Sequence, residues 1–146
     1  MSLIENNSDA FYNNYVNIEI NLIALQKMSC SINYLIPAER KTLFDEVLVI
    51  KQGYKNIECF LTNKTIQILV LPAMRMYISR IIHPKQMEAW IKKLYQNIQN
   101  FKNNFNTKTD VEKILFIQDQ YRLLDTIIKV LNGDAYFVGC QQITKD

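Results

Sequence analysis

Histidine occurs once in this 146-residue chain, and glycine, proline and cysteine occur three times each. A single histidine, His83, excludes a His-rich metal site and any mechanism that needs two imidazoles. Gly53, Gly133 and Gly139 stand far apart, so no glycine-rich loop exists to cradle a phosphate. Cys30, Cys59 and Cys140 fit neither a zinc site nor a Cys-x-x-Cys redox pair, which points to a reducing compartment and to thiols buried for packing. Long apolar runs are also missing. Ile66 to Ala73, interrupted by Gln67, is far shorter than the roughly 18 to 20 residues of a membrane span. The N-terminus carries Glu5 and Asp9 where a secretion signal needs cations and an apolar stretch. The expectation is a cytoplasmic protein with no membrane contact, no metal and no cofactor. It forms one domain over residues 1–146, with about 1–8 and 134–146 as loosely ordered tails; a chain this long buries about two-thirds of its unfolded surface and folds without disulfides.

What the chain does have is helical period. Phe11, Tyr15, Ile18, Leu22, Leu25, Ile32 and Ile36 recur in steps of four and three, broken at Ser29, and predict a long first helix capped at Ser8 or Asp9 and ended by Pro37. Leu43, Val47, Ile50, Tyr54, Ile57 and Leu61 predict a second helix, with Gly53 tolerated inside it and Asn63-Lys64 at its end. Ile66 to Leu71 reads as helix or buried strand, and a helix starting near Leu71 or kinked at Pro72 is preferred, because a lone strand leaves its backbone groups unpaired. Met87, Ile91, Leu94, Ile98, Phe101 and Phe105 follow with Pro84 in the first turn, their polar side made by Lys85, Glu88, Lys92, Gln96, Gln99 and Asn103. Thr109 and Glu112 have the capping-box spacing, and Ile114, Ile117, Tyr121, Leu124, Ile128 and Leu131 run to Asn132-Gly133. The fold expected is an all-α, up-and-down antiparallel bundle of four long helices with a fifth at the C-terminus. Val16, Ile20 and Ile23 add apolar surface beside the first seam, to be covered by the fifth helix or by another subunit.

Catalytic constellations are sparse. A Cys-His pair would need a cysteine to meet His83 without any local motif. Arg80-Ile81-Ile82-His83 is too short for the arginine-to-histidine spacing of helical ribonucleases, and no Glu-x-x-His pair supports a di-iron bundle. The expectation is a protein that is not an enzyme.

Charge is unevenly placed. Residues 51–108 hold ten basic side chains, including Lys51, Lys55, Arg75, Arg80, Lys85, Lys92 and Lys93, against Glu58 and Glu88 alone, a net of +8. The flanking stretches 1–50 and 109–146 carry −3 and −2. A block of that sign attracts a polyanion by backbone contact and counterion release, without base reading. The seven residues named are the candidate phosphate contacts, and Tyr54, Tyr77 and Tyr95 among them could stack on bases, although Tyr54 belongs to a core stripe and reads first as packing. An acidic protein surface is the alternative partner, met by a small interaction module of phage or plasmid type that docks a helix on an exposed apolar stripe.

Tyr34-Leu35-Ile36-Pro37, Thr42-Leu43, Met74-Arg75-Met76-Tyr77-Ile78 and Ile82-His83-Pro84-Lys85-Gln86-Met87-Glu88 stand in an order that resembles the Avd-like accessory proteins of diversity-generating retroelements. These belong to the four-helix-bundle family that includes ribosomal intervening-sequence proteins. The resemblance covers about residues 15–105. The family's terminal Gly-Gly-Trp is replaced by Ile98-Gln99-Asn100-Phe101-Lys102, and the Thr109 to Leu131 helix extends beyond the family's four. The resemblance implies a homo-oligomeric ring, often a pentamer, that binds RNA or DNA through basic side chains, Arg75 and Lys85 among them, and assists a reverse transcriptase.

Overall fold

The computed structural model describes residues 3–64, 81–104, 107–134 and 136–138. Among them are four long helices, α1 (Leu3–Ser31), α2 (Pro37–Lys64), α3 (Pro84–Asn103) and α4 (Asp110–Lys129). A wider π-type segment, Val130–Asp134, continues α4, and two short strands, β1 (Ile81–Ile82) and β2 (Tyr136–Phe137), pair in parallel. The apolar stripes are the buried faces. Tyr15, Ile18, Leu22 and Leu25 of α1 meet Leu43, Val47, Ile50 and Leu61 of α2, Met87, Ile91, Leu94 and Ile98 of α3, and Ile114, Ile117 and Leu124 of α4 in one core.

The chain forms the antiparallel all-α bundle that its periodicity predicts. α1 packs on α2 and α3, and α4 packs on the same two, which leaves α2 and α3 across a diagonal. Directions follow from the contacts between helices. Cys30 and Glu19 of α1 bond Glu88 and Lys102 of α3, Lys51 and Glu58 of α2 bond Asp125 and Tyr121 of α4, and Asn97 of α3 bonds Gln120 of α4. Each of these pairs is antiparallel, so the bundle consists of two hairpins, α1–α2 and α3–α4, and α2 ends at the opposite end of the bundle from where α3 begins. Residues 65–80, on which the Ile66 to Leu71 assignment and most of the helix expected after it fall, lie outside the described residues. No fifth helix is among the described elements, and Ile81–Ile82 is a strand.

One aromatic ring from each helix forms a layer. Phe101 and Phe116 stack at 4.0 Å, Tyr15 meets them at 5.5 and 6.4 Å, and Tyr54 meets Phe116 edge-on at 6.1 Å. Such pairs add to the apolar burial that holds the four helices in register. Tyr54 is therefore core, as its place in the apolar stripe predicts, and is not open to stack on a base.

Helix ends show the local chemistry. α1 is already helical at Leu3, so Ser8 and Asp9 lie inside it and do not cap it. It ends at Ser31, well before Pro37: the Asn33 side chain accepts from Leu35 N at 2.9 Å and Glu39 accepts from Asn33 N at 2.8 Å, giving the backbone a turn in place of the helical ladder. His83 caps α3, its Nδ1 accepting from Lys85 N at 3.1 Å, with Pro84 in the first turn. Thr109 and Glu112 close the predicted capping box at 3.0 and 3.1 Å. Gly133 sits at φ +97°, a left-handed conformation that glycine adopts without strain, and turns the chain toward β2. There Val138 N donates to Ile82 O at 2.9 Å and Phe137 lies 4.9 Å from Tyr34, closing that end of the bundle.

Candidate nucleic-acid interface

α3 buries Met87, Ile91, Leu94, Ile98 and Phe101. At 100° per residue, Lys85, Lys92, Gln96 and Asn103 stand on the opposite side, with Lys93 and Asn100 beside them toward α4. All six are exposed. This outward face holds three cations and three amides and no carboxylate. The one acid of α3, Glu88, lies at its α1 edge, where it accepts from the Cys30 thiol at 3.1 Å. The first turn of α3 holds no acid, and Lys85 stands at the positive end of the helix dipole. A cation is disfavoured there on helix energetics alone, so Lys85 adds to the positive potential at a cost to the helix. The helix is about 30 Å long, and Lys85 and Lys92 are two turns or about 10 Å apart along it.

The remaining candidates are dispersed. Lys51 lies 2.5 Å from Asp125 and 5.8 Å from the centre of the Tyr121 ring, a clamp between α2 and α4 with its charge offset. Lys55 is exposed on α2, across the diagonal from α3, and shares its surroundings with Glu58. Arg75, Arg80 and Tyr77 lie outside the described residues. Two further members of the basic block are also paired: Lys102 lies 2.6 Å from Glu19, whose hydrogen bond holds the ammonium above its ordinary range, and Lys108 lies 3.8 Å from Glu112. Tyr95 is half-buried, with its hydroxyl accepting from Gln99. Among the described members of the seven, Lys85, Lys92 and Lys93 are those that the fold brings to one face. The amides Asn100 and Asn103 complete it; the helical wheel marks their positions, but a search for charge passes over them.

Groups for covalent or acid–base chemistry do not converge in the same way. Cys30 and Cys59 are exposed, which corrects the expectation of buried thiols. Cys30 sits at the α1–α3 edge, and the hydrogen bond to Glu88 pushes its thiol up, away from the reactive thiolate. His83 is engaged as a cap. A cleft of about 230 Å³ opens between Pro37, Arg40, Phe44 and Leu131, but Arg40 bonds Tyr34 O at 2.5 Å and the neighbouring Lys41 bonds Asp45. Among the described residues, no three His, Cys, Asp or Glu side chains group where they could hold a metal ion. No helix among them is long and apolar enough to cross a membrane. Comparison of the chain with family models, curated proteins and solved structures finds no match.

Proposed function

We propose that this protein is a cytoplasmic, non-enzymatic accessory protein that holds a nucleic-acid backbone along the outward face of α3. The observation that carries the reading is the exposed row Lys85, Lys92 and Lys93, set among uncharged amides on a face with no carboxylate. Ammonium groups on a rigid helix neutralise phosphates, and amides bond phosphate or sugar oxygens, so binding of this kind tolerates sequence and weakens with salt. The resemblance to retroelement accessory proteins makes a reverse transcriptase the enzyme to be assisted.

Fluorescence anisotropy with a mixed-sequence RNA and a DNA duplex tests the reading. Three phosphate contacts give a slope of about −2.7 in log affinity against log salt on duplex DNA, or roughly a 40-fold loss between about 50 and 200 mM. Joint charge reversal of Lys85, Lys92 and Lys93 should weaken binding across unrelated sequences and flatten the slope by about one unit per contact. Lys55→Glu, on the far side of the bundle, should leave the slope unchanged. Absence of binding at low salt, or a slope indifferent to the triple reversal, refutes the reading.

A further inference from the structure

Beside the lysine row of α3, the described helices leave an apolar strip open. On α1, Tyr12, Ile20 and Ile23 are 43%, 55% and 37% exposed, and Val16 between them is half-buried. Their spacing keeps them on one face at 100° per residue, along the edge that meets α3. Across the seam stands Tyr95, half-buried and three residues on from Lys92, with its hydroxyl accepting from Gln99 at 2.9 Å. That bond ties the ring to the next turn of α3. Tyr12 and Tyr95 both act electrostatically on Lys102, which places the two rings on the same seam. Of the described carboxylates there, Glu19 is held by Lys102 at 2.6 Å and Glu88 accepts from the Cys30 thiol at 3.1 Å, while Lys27 is exposed on α1 beyond Ile23.

We propose that the nucleic acid held by α3 is single-stranded, with its phosphates along Lys85 and Lys92 and its bases turned onto Tyr95, Tyr12 and the exposed isoleucines of α1. This rests on the α3 reading given above and names the form of its ligand. A duplex stacks its base faces on one another and shows only phosphate, sugar and base edges, so it has nothing to lay on an apolar strip. A single strand carries phosphates on one side and open base faces on the other, and each face can stack on a ring whatever the base. Charge and apolar surface therefore run side by side on protein and ligand alike. From Lys85 to Asn103 the outward face of α3 is about 27 Å long, which matches roughly eight nucleotides at about 3.4 Å per phosphate of one strand.

Fluorescence anisotropy of the full chain tests it, with an unstructured pyrimidine strand of about 12 nucleotides, as DNA and as RNA, and with the DNA strand paired to its complement. Circular dichroism confirms that each variant is folded. Both strands should bind about tenfold more tightly than the duplex at equal salt. Tyr95→Ala should weaken single-strand binding about tenfold and leave duplex binding and the salt slope unchanged, since stacking releases no counterions. Tyr95→Phe keeps the ring and should bind like the parent. Tyr12→Ala, at an exposed position, should act in the same direction as Tyr95→Ala without disturbing the core. A duplex bound as tightly as the strands, or strand affinity indifferent to both alanine variants, overturns the proposal; if the triple lysine reversal still weakens binding in that case, the α3 reading stands without it. No binding of any probe removes both.

Discussion

Gly53 lies inside α2, where glycine costs about 1 kcal/mol relative to alanine. On propensity alone Gly53→Ala would raise stability by that amount, but packing reverses the sign. A Cβ at position 53 would stand 3.0 Å from Ile18 Cγ1 and 3.3 Å from Ile18 Cδ1. Carbon atoms rest at about 3.5–4.0 Å, so either α1 and α2 part or Ile18 moves. Ile18 is 2% exposed, and a β-branched side chain in a helix has one strongly preferred rotamer, so it has little room to swing aside. Overfilling a packed seam costs about 1–3 kcal/mol. Taking about 2 kcal/mol for the clash against about 1 for the propensity leaves a net loss of about 1 kcal/mol, or a fall of about 3 °C in the unfolding midpoint. Urea unfolding of four proteins measures this: the parent, Gly53→Ala, Ile18→Ala and the double variant. Ile18→Ala removes both contacted atoms, so in that background Gly53→Ala should become stabilising by about 1 kcal/mol, a coupling of about 2 kcal/mol. A stabilising Gly53→Ala in the parent, or the same effect in both backgrounds, would refute the close-approach argument.

Three further variants probe local electrostatics and capping. His83→Ala should lower stability by about 1 kcal/mol and His83→Asn should recover most of it, because an amide oxygen can take over the acceptor role at the start of α3; chemical denaturation checks both. Burial holds the Glu58 carboxyl above its ordinary range, despite Lys55 nearby and the Tyr121 hydroxyl donating to it at 3.4 Å. A pKa raised by folding contributes stability that is present below the unfolded value and is lost as pH rises through the folded one. Glu58→Gln, whose amide oxygen still accepts from Tyr121, should therefore raise the melting temperature at pH 7 and give a gain that shrinks by pH 4. An equal gain at both values would show that ionisation is not the cause.

The helices were legible because each needs only a local pattern. Thr109 and Glu112 announce a capping box three residues apart, and the same two side chains close it. The end of α1 was not legible from its stripe, since Ile32 and Ile36 keep the period while Asn33 and Glu39 bond the backbone into a turn. The β1–β2 pair was hidden for a different reason. A strand at Ile81–Ile82 has no partner nearby in the sequence; the turn at Gly133 brings Tyr136–Phe137 beside it from 55 residues away, and no local pattern encodes that meeting.

The basic block shows how a linear charge count and a surface can part. Lys51, Lys55, Lys85, Lys92, Lys93 and Lys102 are grouped along the chain, and proximity in the sequence becomes proximity in space only if the elements that carry them are neighbours. Here α2 and α3 lie across the diagonal of the bundle, so Lys55 cannot join the α3 row. The antiparallel seams then bring acids from the flanking stretches onto the block: Glu19 of α1 meets Lys102, and Asp125 of α4 meets Lys51. These pairs are partly buried and tie helices together, so their lysines serve the fold before they serve a ligand. What the seams do not neutralise is the side of α3 that faces none of the other described helices. The same topology that separates Lys51 and Lys55 from α3 leaves Lys85 and Lys92 on that side with Lys93 at its α4 edge, and this is the face on which the proposed phosphate contact rests.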